Sequence, residues 1–165
     1  MMEINPKATA AGLLGALAIA GTLIISAEGY STHAHPDPVG NTEICYGHKG
    51  NLRIASDATC LHLLKKDTDH ANAVIDKYVT VPLTQGQRAA LVDFIYNIGG
   101  SSFARSTLLR LLNKGDYADA AREFTRCEMN NETGKKKGYG CGWADGKQLN
   151  GLIYRRQIEE NVFNG

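Results

Sequence analysis

The chain has 165 residues, a formal net charge of +1 and 43% hydrophobic residues. A charge this near zero gives no general electrostatic attraction for nucleic acid or for an acidic membrane surface. With only four prolines, no low-complexity tract and no internal repeat, residues 28–165 read as one globular domain of the commonest size.

The first 27 residues stand apart. No charged residue lies between Lys7 and Glu28, and residues 8–27 read ATAAGLLGALAIAGTLIISA. As a helix at ~1.5 Å per residue this run reaches ~30 Å, the thickness of a bilayer core. It is a weak spanner. Seven of its residues are Leu or Ile, against seven Ala, three Gly and three Ser or Thr. At roughly −0.5 kcal/mol for each Leu or Ile, the favourable sum is only a few kcal/mol. A cleaved signal peptide, a permanent anchor and an anchor able to leave the membrane are the three readings, and the Gly/Ala-rich composition favours the last. Residues 1–27 are therefore assigned to an N-terminal anchor segment and 28–165 to the soluble domain.

Along the body, Gly40, Gly47 and Gly50-Asn51 punctuate short stretches such as TEICY and LRI, which predicts a small hairpin or three-strand meander over 40–55. Ser56-Asp57 supplies an N-cap, and Leu61, Leu64, Ala71, Val74 and Tyr78 predict one helix over 57–78. Thr84 caps a second helix whose stripe is Leu91, Phe94, Ile95 and Ile98, stopped by Gly99. A helix over about 101–113, another from Asp116 to about Arg126, a Gly/Asn/Lys-rich loop over 128–146 and a last helix over about 147–163 complete the chain. This is an α+β domain, mostly helical, with its β element near the start.

Cys45, Cys60, Cys127 and Cys141 show no C-x-x-C spacing, which argues against a zinc or thioredoxin-like motif. An even count suits disulfides in an oxidising compartment. Three pairings are open. Cys45 with Cys60 and Cys127 with Cys141 would each close a short local loop and are preferred.

Two carboxylates flank the start of the domain. Glu28 follows the apolar run, where burial and the helix C-terminus both favour a protonated carboxyl. Asp37, in the HPDP turn, is expected to be water-exposed and ionised. One neutral and one charged carboxyl is the division of labour that glycoside hydrolysis needs.

The stretch EGYSTHAHPDPVGNTEICYGH resembles the active-site region of the phage-type lysozymes, glycoside hydrolase family 24. Those enzymes carry a Glu, an acid nine residues on and a Thr six further, followed by a Gly-His pair. Glu28, Asp37 and Gly47-His48 match. The similarity continues over LTQGQRAALVDFIYNIG, FARSTLLRLLNKGDY and GLIYRR. It implies a lysozyme-like fold, cleavage of the β-1,4 bond between N-acetylmuramic acid and N-acetylglucosamine in peptidoglycan, an inverting mechanism, and no cofactor or metal. Glu28 would be the general acid and Asp37 the carboxylate that directs water or supports charge.

The chain departs from the pattern at the third position, where Glu43 replaces the Thr that helps to place water. Thr42 would serve only after a one-residue slip, which turns a strand side chain to the other face, so Glu43 is the expected site residue. The alternative turns Glu43 outward and leaves Glu28 and Asp37 alone.

The apolar run in front of such a domain resembles the signal-anchor-release endolysins. That resemblance implies a single-pass inner-membrane form with a cytoplasmic N-terminus and periplasmic domain, then a soluble periplasmic monomer. The partners implied are peptidoglycan and, through residues 8–27, the inner membrane, with no nucleic acid. While the run spans the bilayer, Glu28 is held away from Asp37; release lets it dock. The alternatives are a lytic transglycosylase and an anchored, non-catalytic peptidoglycan-binding protein.

Weaker features are His33 and His35, read as a solvated turn and not a metal site; His48, read as orienting the hairpin; Lys135-Lys136-Lys137, read as a solvated run; and Arg155-Arg156, expected to pair with acids on neighbouring helices.

Overall fold

A computed structural model describes residues 10–37, 40–129, 136–144 and 147–165. Helix α1 (Ala10–Glu28) leads into a three-stranded antiparallel sheet of β1 (Ser31–Pro36), β2 (Thr42–Cys45) and β3 (His48–Lys49), in that spatial order. Helices α2 (Asp57–Tyr78), α3 (Gln85–Ile98), α4 (Gly100–Ala104), α5 (Thr107–Leu112) and α6 (Tyr117–Thr125) follow. Two short ladders, β4 (Glu128–Met129) with β5 (Lys136–Lys137) and β6 (Trp143–Ala144) with β7 (Lys147–Gln148), precede α7 (Asn150–Asn164).

The core is built around α3, in which every residue from Arg88 to Ile95 is buried. Helices α1, α2 and α7 pack against it, and Phe94 meets Phe124 of α6 edge-on at 5.0 Å. Thr84 and Gln87 form a reciprocal capping box at its start. Ser56 caps α2, which runs over the expected residues, and Asp116 caps α6.

Helix α1 lies against this core along one face. Ala16, Ala20 and Ile24 are fully buried. They repeat every fourth residue, and Glu28 is the next position on the same face. Gly15 makes room for the Gln85 side chain of α3: a Cβ there would stand 2.9 Å from its carboxamide oxygen. The opposite face is open, with Leu14 70%, Ile25 43% and Ile19 37% exposed.

Four sequence expectations change. The sheet begins at Ser31, so His33 and His35 sit on a strand and not in a turn, with His33 bridged to Ile54. Leu61 is exposed, and Cys60 and Ile75 take the buried face of α2 in its place. The helix expected over 101–113 is broken, because the Ser106 side chain accepts the Leu109 N–H and starts a new helix. The last helix starts at Asn150, since Lys147 and Gln148 pair with Ala144 and Trp143.

The cysteines pair locally, Cys45 with Cys60 and Cys127 with Cys141. The first bridge ties the end of β2 to α2 across 15 residues. The double variant Cys45→Ala/Cys60→Ala should lower the unfolding free energy in urea by about 3 kcal/mol.

Candidate active site

Everything in the site converges on the turn between β2 and β3. Glu43 faces Lys49 and Ile44 faces His48 across the ladder, leaving Cys45, Tyr46 and Gly47 as the connection. Cys45 and Gly47 both adopt positive φ, +62° and +78°. For Cys45 this left-handed conformation costs on the order of 1 kcal/mol. Three tethers hold the turn. The disulfide fixes Cys45 to α2. The Tyr96 hydroxyl of α3 donates to the Tyr46 carbonyl at 2.6 Å. The His48 ring, through Nδ1, meets Asp67 of α2 at 2.6 Å, which agrees with an orienting role for that histidine. Tyr30 packs on Tyr46, ring centroids 5.1 Å apart, and donates its hydroxyl to Asp57.

Glu28 reaches this turn from the end of α1. Its Oε2 lies against Gly47 so closely that a Cβ there would be 2.9 Å away. Its Oε1 accepts from Arg155 Nη1 at 2.5 Å. Arg155 is buried on α7 and also grips Asp93 of α3, through Nη2 to Oδ1 at 2.7 Å and Nε to Oδ2 at 3.1 Å. The expected pairing with acids on neighbouring helices therefore holds for Arg155, whereas Arg156 turns to Glu159 of its own helix. Burial works against the Arg155 charge, but Asp93 and Glu28 together outweigh it and raise its pKa. The apolar surroundings expected for Glu28 are replaced by a charged contact. One guanidinium is shared among Glu28, Asp93 and, at 3.7 Å, Glu159.

Asp37 also departs from expectation. It sits just past β1 with its side chain only 6% exposed, not open to water. Asn41 encloses it: the backbone N–H donates to Oδ1 at 2.7 Å and the side-chain amide to Oδ2 at 2.8 Å.

Glu43 lies in the middle strand with its side chain 15% exposed, while Thr42 is exposed. Its cross-strand neighbours are His35 on β1 and Lys49 on β3. Burial pushes the Glu43 carboxyl above its ordinary range, and the negative charges of Glu28 and Asp37 add to this, while Lys49 and His35 oppose it. Glu28, Asp37 and Glu43 are thus drawn into one electrostatic neighbourhood. A cavity of about 370 Å³ opens at the β2–β3 turn, lined by Gly47, His48, Lys49, Asp67, Tyr96 and Asn97 among others but by none of the three carboxylates, within the range that admits a small organic ligand.

A sequence profile described as phage lysozyme matches residues 25–159. The chain belongs to the phage lysozyme family. It is 34% identical to the SAR-endolysin of Bacteriophage PS119, over 90% of this chain and 86% of that one. It is 35% identical to the SAR-endolysin of Escherichia phage Mu, over 86% and 76%. Among solved structures, a mutant of phage P22 lysozyme superposes with a TM-score of 0.68 at 29% identity, covering 100% of both chains. The muramidase domain of SpmX from Asticaccaulis excentricus gives 0.70 at 29% identity, covering 98% and 99%.

Asn41, Lys49, Asp67 and Tyr96 were not legible as site residues from this lysozyme's sequence. Lys49 had a usable signal: a three-residue turn ending at Gly47 puts it opposite Glu43. Asp67 and Tyr96 had none, since their partners lie 19 and 50 residues away. Among the described residues no group of three or more His, Cys, Asp or Glu side chains is arranged to hold a metal ion.

Gly47→Ala should cut kcat about 10- to 100-fold, because even a small displacement of a reacting group is costly. Gly115→Ala, which shares a positive φ of +79° but meets nothing within 4 Å, should leave kcat near wild type. Dye release from purified sacculi, with melting curves for both variants, checks the contrast.

Proposed function

We propose that this chain is a muramidase that hydrolyses the β-1,4 glycosidic bond of peptidoglycan for host lysis, held at the inner membrane by its N-terminal helix until release. What supports the reading is Glu28 seated against Gly47 and Lys49 bridging Asp37 and Glu43, with Gly47 and Lys49 both lining the cavity. Glu28 is the general acid that protonates the leaving oxygen as the sugar acquires cationic character. Asp37 and Glu43 form the opposing negative wall. Asp37 stabilises the developing charge, and Glu43 accepts a hydrogen bond from the attacking water. No cofactor takes part.

The anchor reading is supported by one helix carrying both the apolar run and the acid. Residues Ala11–Glu28 have a mean hydropathy of 1.8, and only 17% of them are buried against the domain. In the membrane-spanning form the N-terminus is cytoplasmic and the domain periplasmic, a compartment that suits both disulfides. The released form works as a monomer, since one chain supplies all three carboxylates.

Full-length protein expressed in Gram-negative cells should move from membrane to soluble periplasm when the membrane is depolarised, at unchanged intact mass, and lysis should follow. Glu28→Gln should release equally and not lyse. A truncated mature form that lyses without depolarisation would leave an ordinary secreted lysozyme, and lysis by Glu28→Gln would remove Glu28 as the acid.

Gly21 separates membrane affinity from docking, because a Cβ there meets nothing within 4 Å in the docked helix. Gly21→Leu should strengthen insertion by about 1 kcal/mol, delay lysis and leave the released enzyme's kcat unchanged. Ala16→Leu, at a fully buried position, should delay lysis and also impair the released enzyme by overpacking.

A further inference from the structure

The reading above gives Lys49 no part in the chemistry, although its ammonium stands 3.7 Å from Asp37 Oδ2 and 3.7 Å from Glu43 Oε1. The two carboxylates arrive from different places, one just past β1 and the other in β2, and this cation bridges them. The ladder fixes the bridge, since Lys49 is the residue directly opposite Glu43. We propose that Lys49 is a positioning residue that binds Asp37 and Glu43 into one pair of carboxylates and holds Glu43 for its contact with water. The inference rests on the assignment of Glu43 to the site.

The need for such a residue follows from the departure at position 43. A hydroxyl in the middle strand could be buried beside two acids without electrostatic cost. A carboxylate there is partly desolvated and repelled by Glu28 and Asp37, and a nearby cation offsets both costs. The groups facing Glu43 are Glu28 from α1, His35 on β1, Asp37 just past β1, and Lys49 from β3. Tyr96 of α3 is also within electrostatic range, but its hydroxyl is already donated to the Tyr46 carbonyl. Of the two basic groups facing Glu43, Lys49 contacts its carboxylate directly, at 3.7 Å. The Lys49 side chain is 61% exposed, so its effect is screened and should weaken as salt is added.

The test is the pH profile of kcat on purified, dye-labelled sacculi, using the released full chain. Removing the cation raises the pH at which Glu43 ionises. Lys49→Met should therefore move the acid limb upward by roughly half a pH unit, more at low ionic strength than at high, with the melting temperature unchanged. Lys49→Arg should restore the limb. In a Glu43→Gln background the shift from Lys49→Met should shrink to the part that acts through Asp37. Glu28→Gln is measured beside them. If it is inactive while the Lys49→Met profile overlies wild type, the positioning role is overturned and the muramidase assignment stands. An equal shift from Lys49→Met in the Glu43→Gln background would also overturn it, because the cation would then not act through Glu43. If Glu28→Gln is active, the site assignment itself has failed.

Discussion

The Arg155 guanidinium is the pin of the structure. It joins the end of α1, through Glu28, to Asp93 in the central helix and to α7, on which it sits. A buried ion pair of this kind contributes little net stability, since desolvation consumes much of the Coulombic gain. Its effect is positional. Asp93 fixes the plane of the guanidinium with two side-chain hydrogen bonds, which leaves Nη1 facing the Glu28 carboxylate. Glu28 reaches it only when α1 is seated. The same network extends to Arg156 and Glu159, whose burial lowers the one pKa and raises the other. With Arg156 also lying 4.8 Å from the Phe94 ring centre, the charges are stacked into the core and not left to solvent.

The other half of the site depends on the sheet. The β2–β3 turn contains a non-glycine residue in the left-handed region, and strain of this kind persists only where the surroundings over-determine it. Here a disulfide, a tyrosine hydroxyl and a histidine–aspartate pair do so from two different helices. The outcome is a turn stiff enough to hold Gly47 against Glu28 Oε2. Site geometry is thus set by α2 and α3 acting through the turn, and by α7 acting through Arg155.

The legible parts of the sequence were those governed by local rules. Ser56, Thr84 and Asp116 announce their helices because a cap is a contact over three residues, and both disulfides close loops short enough to be preferred. Inward placement of Glu43 followed from the two-residue period of a strand, which also sends Thr42 outward. The environment of the acids was not legible. Glu28 looked apolar because its neighbours in sequence are apolar, whereas its neighbour in space is Arg155, 127 positions away. Asp37 looked exposed because it lies between prolines, but Asn41 folds back over it. The break at Ser106 shows the same limit from the other side: a continuous apolar stripe hid a serine that caps a new helix.

Helix α1 is constrained from two directions at once. To leave a bilayer it must gain little there, and seven Leu and Ile residues among many Ala and Gly provide only a few kcal/mol of insertion energy. To dock it must gain a comparable amount on the domain, where burial of Ile24 contributes about 1.5–3 kcal/mol and Ala16 and Ala20 smaller amounts. Docking leaves Leu14, Ile19 and Ile25 facing water, so every further large apolar residue on that face would favour the membrane. A larger residue on the opposite face would hold α1 off α3 and Glu28 away from Arg155. The small-residue stripe therefore keeps the insertion energy low and still lets the helix seat on α3. Because Glu28 occupies the next position along that stripe, the register that seats the helix is also the register that completes the site.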